Sequence, residues 1–241
     1  MKRKAFLIAS PHEEGTSNFL PGVTPDIKNM KKHLLSNAGG AWRTDEIEIL
    51  KNPSRDDVLS KIQGEYDFII IQYSGHGFEY TSTGTQLDIN PKQKIGLEEI
   101  HRNISAPRRY YFIDCCRGIV PEDKQILRCS MENFSNVQDS AIDYRKRYED
   151  IILSCEEGLS VIYSCDMKQS ADEDPQGLGG IFTLSYINAS KKHSFVDLKK
   201  YYSIKTIFTE ANTLMKTNYP LSMQNPVMKP ERRERYFPFI I

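Results

Sequence analysis

The chain has 241 residues, enough for one large α/β domain with a substantial hydrophobic core. Its 32 Lys and Arg balance its 32 Asp and Glu, so the net charge indicates neither a nucleic-acid partner nor an anionic membrane, and we predict neither. The five Cys are odd in number and lack framework spacing, which argues against a disulfide scaffold and favours a reducing, cytoplasmic location.

The first part of the chain alternates between predicted strands and helices. Basic residues open the chain, but the apolar run after them is too short for a signal peptide and predicts a first strand over residues 5–9. Thr-Pro-Asp at 24–26 predicts a helix with Thr24 as its cap. A second strand is predicted over 46–50, and Ser-Arg-Asp-Asp at 54–57 resembles a capping box for a second helix. The apolar positions of the two helices are Ile27, Met30, Leu34, Leu35, Val58, Leu59 and Ile62.

Two apolar runs in the middle of the chain each end at a polar cluster. Residues 67–73 lead into Ser-Gly-His-Gly at 74–77, and residues 110–113 lead into Asp-Cys-Cys-Arg-Gly at 114–118. Runs that are apolar on both alternating sets of positions predict strands buried on both faces of a parallel sheet. Open α/β sheets place their sites at the carboxyl edge, so we expect His76 and Cys116 to lie there.

The remaining segments complete an α/β pattern. Between the two runs, residues 79–89 predict a hairpin, and Leu97, Ile100 and Ile104 predict a helix. Residues 119–157 are polar and predict a long surface insertion. A strand over 159–164, a helix from Gly180 and a long helix with a capping box at 194–197 follow; the apolar positions of the last are Phe195, Leu198, Tyr202, Ile207, Ala211 and Leu214. The pattern predicts an α/β fold of three layers, with a mostly parallel sheet of about six strands and helices on both faces.

The residue types at the two strand ends are those of a nucleophile and a base. A cysteine attacks a carbonyl carbon as its thiolate, and it needs a base and backbone N–H donors for the developing oxyanion. His76 and Cys116 would supply the pair, and Gly77 would let the backbone approach a substrate closely. Alternatively, His76 is a solvated turn residue and Cys116 a packed thiol. The residues alone leave both interpretations open.

Four motifs, in order along the chain, resemble the caspase, metacaspase and paracaspase superfamily of cysteine peptidases. They are residues 20–34, residues 73–77, residues 114–118, and residues 163–171 followed by 179–183. The resemblance implies a single caspase-like domain over 1–241, with a large-subunit-like part at 1–118, a linker-like insertion at 119–158 and a small-subunit-like part at 159–241.

The resemblance also implies residue roles. Cys116 would be the nucleophile and His76 the acid/base, and the backbone N–H groups of Gly77 and Cys116 would form the oxyanion hole. The neighbouring Cys115 would point to the opposite face of its strand as a small buried residue.

The resemblance further implies an acidic S1 pocket formed by Asp26, Ser74 and Asp114. Two carboxylates at the base of a pocket complement a guanidinium or an ammonium through charge-assisted hydrogen bonds. We therefore predict cleavage after Arg or Lys. The alternative role for Asp26 is that of an acidic residue favourable to its helix dipole.

Three further predictions concern the loops. Ser164, Cys165 and Asp166 would pair with the substrate backbone as a strand does. Asp166 and the acidic residues at 172–174 would bind calcium in the manner of some metacaspases, or would only form a solvated loop, and no other cofactor is predicted. Lys124, Arg128 and the basic residues at 145–147 are candidate self-processing sites.

We expect a regulated cysteine endopeptidase with a protein substrate and an activating protein partner. By analogy with compact bacterial members, it would act in antiviral defence or cell death. The first alternative is a catalytically silent interaction module. The second is a metal-binding protein that uses Cys115, Cys116 and Cys129, although the chain lacks Cys-x-x-Cys pairs. The third is a flavodoxin-like nucleotide binder. The sequence shows no phosphate-binding glycine loop after the first strand, which argues against it.

Overall fold

The computed structural model describes residues 1–118, 143–193 and 200–241. In chain order its main elements are β1 (Arg3–Ser10), α1 (Val23–Leu35), β2 (Ile47–Lys51), α2 (Arg55–Ile62), β3 (Phe68–Gly75), β4 (Gly77–Tyr80), β5 (Gly84–Asn90), β6 (Gln93–Gly96), α3 (Leu97–Arg102), β7 (Arg108–Asp114), α4 (Tyr144–Leu153), β8 (Gly158–Tyr163), α5 (Ile181–Lys191), β9 (Tyr202–Ser203), α6 (Ile204–Asn218), β10 (Val227–Lys229) and β11 (Pro238–Ile240).

A six-stranded sheet lies at the centre, with the strand order β10-β8-β7-β3-β1-β2. The five strands from β8 to β2 are parallel, and β10 pairs antiparallel with β8 at one edge. A mostly parallel sheet of six strands was the prediction, and it is confirmed. A small antiparallel sheet of β4, β5 and β6 follows the carboxyl end of β3.

The two faces of the sheet bury separate hydrophobic cores. In β1, Leu7 faces the core formed with α1, α4, α5 and α6, whereas Phe6 and Ile8 face the core formed with α2, α3 and the small sheet. Alternation along β3 and β7 follows the same rule, because successive side chains of a strand point to opposite faces. This explains why the central strands are apolar at nearly every position and confirms the three-layer arrangement.

The predicted helix starts are partly correct. Ser54 caps α2, and its hydroxyl accepts a hydrogen bond from the Asp57 N–H while the Asp57 carboxylate accepts from the Ser54 N–H. The assignment of Thr24 as the cap of α1 is wrong. The chain already turns at Leu20, and the Gly22 carbonyl accepts from the Asp26 N–H, so α1 begins one residue before Thr24.

The predicted insertion at 119–157 contains a helix. Helix α4 buries Tyr148 and Ile152 in the larger core, so this segment is not wholly a surface loop. Arg145 lies in α4 and forms ion pairs with Glu46 and Glu149. A helical, ion-paired segment does not present the extended chain that a peptidase cleaves, which argues against self-processing there. Lys124 and Arg128 lie outside the described residues.

The last predicted helix begins later than its apolar pattern indicates. Helix α6 starts at Ile204 with Ser203 as its cap, and Tyr202 pairs with Ile240 in a two-stranded ribbon instead. The predicted capping box at 194–197 lies outside the described residues. The predicted apolar positions Phe195 and Leu198 lie there too. No helix in the described parts of the chain is long and apolar enough to span a membrane.

Candidate active site

His76 and Cys116 follow the carboxyl ends of two neighbouring parallel strands. In the register of β3 and β7, Ser74 lies opposite Asp114. His76 and Cys116 each come two residues after this pair, so both belong to the same edge of the sheet. This is the edge at which α/β sheets form their sites.

The imidazole of His76 is oriented by the loop that follows β1. Its Nε2 lies 2.7 Å from the backbone carbonyl oxygen of Asn18. A carbonyl oxygen can only accept, so Nε2 carries the hydrogen in this contact and Nδ1 is left with the lone pair. Below the ring, the Tyr73 hydroxyl lies 2.9 Å from the carbonyl oxygen of Asp88 and 2.5 Å from that of His76. No sequence pattern indicates Asn18, because a backbone carbonyl leaves no trace in residue type.

The Cys116 thiol is half-buried and contacts the loop that follows β8. The Ala171 N–H donates to its Sγ at 3.4 Å. Burial raises the pKa of Cys116, and the nearby carboxylates of Asp114 and Asp172 raise this pKa further. The thiol is therefore protonated at neutral pH in this arrangement, and forming the nucleophile requires a base.

Cys115 belongs to the core instead. It is 2% exposed and packs with Tyr111 and Ile113 on the other face of the strand. Burial raises the pKa of its thiol well above the ordinary range. A side chain at Gly77 would place its Cβ 2.6 Å from the Cys115 Sγ, so only glycine allows β4 to lie against the cysteine strand.

The three predicted S1 residues converge at one point. The Ser74 hydroxyl donates to Asp26 Oδ2 at 2.7 Å, and the Gly180 N–H donates to Asp26 Oδ1 at 3.0 Å. Asp114 accepts from the Thr183 hydroxyl at the start of α5. The strand ends, α1 and α5 therefore bring the two carboxylates together.

The two carboxylates are covered in this structure. Asp26 is 1% and Asp114 5% exposed, and a Cβ on Gly180 would lie 2.5 Å from Asp114 Oδ2 and 3.3 Å from Asp26 Oδ2. Burial raises the pKa of both carboxyl groups, and the Asp114 charge raises the pKa of Asp26 further. A bound cation would reverse this effect by stabilising both charges.

A third carboxylate, Glu173, lies near this pair, and the sequence reasoning did not identify it as a pocket residue. Its Oε1 accepts from the Gly22 N–H at 2.9 Å, directly before α1. Burial and the neighbouring Asp114 raise the pKa of Glu173 to about 7. Within the segment 172–180, Gly179 and Gly180 thus lie against the acidic pair, and Glu173 adds a nearby ionisable group.

The predicted substrate-pairing segment at 164–166 is largely engaged by the protein itself. The Ser164 N–H donates to the Ile113 carbonyl, and the Ser164 carbonyl accepts from Gln224 Nε2 at 2.6 Å. Cys165 is fully buried, and only Asp166 is exposed. The backbone of Ser164 is therefore not open to a substrate in this arrangement.

Arg117 connects the cysteine loop to the small sheet. It forms a buried ion pair with Glu79 and lies over the ring of Tyr163, 4.0 Å from the ring centroid. The Glu79 N–H donates to the Gly118 carbonyl. The loop that carries Cys116 is thereby tied to the small sheet.

The acidic residues proposed for calcium do not converge on one point. Asp172 accepts from the Ser222 hydroxyl, and Asp174 accepts from the Tyr219 hydroxyl and the Gln176 N–H. Within 1–118, 143–193 and 200–241, no group of three or more His, Cys, Asp or Glu side chains is placed to hold a metal ion. As arranged here, these residues do not fit a calcium site, and we derive no step through calcium.

Comparisons with known proteins identify the family and the fold. A family model described as a caspase domain matches residues 2–237. Metacaspase-1 of Scheffersomyces stipitis is 23% identical over 124 residues, which are 46% of this chain and 29% of that protein, so the chain spans less than a third of this relative. A crystal structure of caspase-1 from Spodoptera frugiperda superposes with a TM-score of 0.58 at 12% identity, covering 94% of this chain and 85% of that chain, and shows the fold.

Proposed function

The chain belongs to the caspase-domain family of peptidases, and we propose on this basis that it is a cysteine endopeptidase with Cys116 as nucleophile and His76 as acid/base. The observation that carries the proposal is the position of these two residues, each two residues beyond the paired Ser74 and Asp114 at one sheet edge. Their hydrogen-bond pattern supports it, because the Asn18 carbonyl leaves Nδ1 of His76 able to accept a proton.

The chemistry follows from these groups. Nδ1 of His76 takes the thiol proton, and the Cys116 sulfur attacks the carbonyl carbon of the scissile peptide bond. The electron pair moves to the carbonyl oxygen, which the N–H groups of Gly77 and Cys116 stabilise. The C–N bond then breaks as His76 gives its proton to the leaving amine. Water hydrolyses the thioester, and the thiol is regenerated.

The same proposal includes cleavage after Arg or Lys. The support is the buried pair of carboxylates, Asp26 and Asp114, which would be neutralised by a guanidinium or ammonium between them. An Asp side chain in the same place would add a third negative charge to a buried site, which is strongly unfavourable.

We further propose that the enzyme is regulated. The covered carboxylates and the contact between Cys116 and Ala171 are consistent with a resting arrangement in which segment 172–180 must move before a substrate binds. An activating protein partner would supply that movement. A cytoplasmic effector role, in bacterial antiviral defence or cell death, rests on analogy with compact members of the family. The free thiols of Cys115, Cys116, Cys155 and Cys165 suit a reducing compartment.

The test is hydrolysis of matched fluorogenic peptides that differ only in having Arg, Lys or Asp at P1, with and without calcium. Cleavage after Arg and Lys that is lost in Cys116→Ala is the expected result. Cleavage after Asp would contradict the acidic pocket but not the peptidase. Lack of cleavage by the chain, with calcium and with a candidate partner present, would favour the silent interaction module.

A further inference from the structure

A second histidine, His12, contacts the ring of His76. His12 lies in the loop that follows β1, the same loop that carries Asn18. The centroids of the two imidazole rings are 4.8 Å apart, and their planes meet at 62°. His12 is 2% exposed, so this contact is made in the protein interior.

The arrangement of His12 is unfavourable for folding. Its backbone has a φ of 64°, in the left-handed region that residues other than glycine rarely adopt. Both of its ring nitrogens are buried; the Asp88 backbone offers one of them a hydrogen bond of poor geometry, and the other has no partner. A buried unpartnered polar group and a strained backbone both lower stability, and such residues cluster at functional sites.

His12 also remains uncharged next to a histidine that must carry a proton during catalysis. Burial, and then the charge of His76, lowers the pKa of His12 to about 4. At neutral pH the ring of His12 is therefore uncharged.

We propose that His12 is a positioning residue for His76. Its ring and the Asn18 carbonyl, two contacts from one loop, hold the imidazole of His76 in a single orientation with the hydrogen on Nε2 and the lone pair on Nδ1. The kinetic consequence rests on the proposed peptidase function. The tautomer of His76 does not, because it can be measured in a protein without activity.

The test compares His12→Ala, which removes the ring, with His12→Phe, which retains an aromatic ring. Nitrogen-15 spectra of histidine-labelled protein in a Cys116→Ala background report the tautomer of His76. We expect one Nε2–H tautomer in the parent and in His12→Phe, and a mixture in His12→Ala. With Cys116 present, kcat for His12→Ala should fall about tenfold while KM changes little, because misplacing a catalytic group slows the chemical step more than binding.

His33→Ala is the matched control. His33 is stacked on Phe239, with 4.0 Å between the ring centroids, and burial lowers its pKa to about 4 as well. This variant should lose stability without altering the His76 spectrum or kcat.

Two results would overturn the proposal. One is a folded His12→Ala with the parent tautomer and kcat. The other is a folded His12→Phe in which His76 shows mixed tautomers, a readout that remains decisive if His12→Ala does not fold. If the parent cleaves none of the peptides, the proposed function fails, while the spectra still decide the role of His12.

Discussion

Arg117, directly after the candidate nucleophile, forms a buried ion pair with Glu79 of the small sheet, with 3.2 Å between Nη2 and Oε2. Removing one partner of such a pair leaves a buried charge uncompensated. We expect Arg117→Met to lower the free energy of unfolding by about 3–5 kcal/mol, measured by urea denaturation.

The control for this prediction is an exposed pair on α3. Arg102 and Glu98 form an i,i+4 ion pair with both side chains largely in solvent. Arg102→Met should change stability by less than about 1 kcal/mol. Equal effects of the two substitutions would show that the buried pair contributes no more to stability than the exposed pair.

Replacing one carboxylate of the acidic pair should have opposite effects on stability and on cleavage. In Asp26→Asn the side-chain oxygen can still accept from Gly180, and its amide can donate to Ser74. The folded-state pKa of Asp26 is raised, so the folded chain holds this proton more tightly than the unfolded chain. Wild-type stability therefore falls as pH rises from the ordinary carboxyl pKa toward the raised value, and Asp26→Asn lacks this loss.

The expected result is a Tm for Asp26→Asn a few degrees above that of the wild type at pH 8, with a much smaller difference at pH 4. Cleavage after Arg should fall by about 10–100-fold, because one anion of the pocket is lost. A variant that is less stable at pH 8 but unchanged at pH 4 would contradict the sign of this linkage.

The cysteines should differ in their reactivity toward an alkylating agent. Cys116 is half-buried, whereas Cys115 and Cys165 are buried. We expect peptide mapping after brief iodoacetamide treatment to find Cys116 modified before Cys115 and Cys165. Because burial raises the pKa of Cys116, the rate of modification in the resting protein should keep rising with pH beyond the ordinary thiol pKa. Faster labelling of Cys115 than of Cys116 would contradict this prediction, because it would mean that Cys115 is the accessible thiol.

Gly180 leaves no room for a side chain between the two carboxylates. A Cβ there would lie 2.5 Å from Asp114 Oδ2, so Gly180→Ala must displace Asp114 or the start of α5. We expect a loss of about 1–3 kcal/mol in stability and strongly reduced cleavage after Arg. Gly118→Ala is the control, since a Cβ at Gly118 meets no atom of the described residues within 4 Å. Similar activity in the two variants would mean that the structure tolerates a methyl group at residue 180 next to the two carboxylates.

Much of the fold was predictable because it depends on local patterns. The runs that became β3 and β7 are apolar on both faces, a pattern that few structures other than central parallel strands accommodate. The resemblance carried by the motifs at their ends also implied a pocket of Ser74, Asp114 and Asp26; the structure places the Ser74 hydroxyl on Asp26, and the pocket itself stays a prediction.

The errors fall where local signals are weak. The strands β6, β9, β10 and β11 span two to four residues and form only through pairing with distant segments. Helix α4 was missed because its polar residues outnumber its apolar ones, and burial of Tyr148 and Ile152 against the rest of the core stabilises it.

The sequence by itself determined the family, the sheet edge and the residue types of the candidate dyad, because these follow from contiguous motifs and from alternation along strands. Only the tertiary structure decided what surrounds them: the Asn18 carbonyl on His76, the ring of His12 beside it, Glu173 at the rim and Gly180 over the carboxylates. These contacts join residues far apart in the chain, and their energies depend on burial and on exact distance, which residue order alone does not specify.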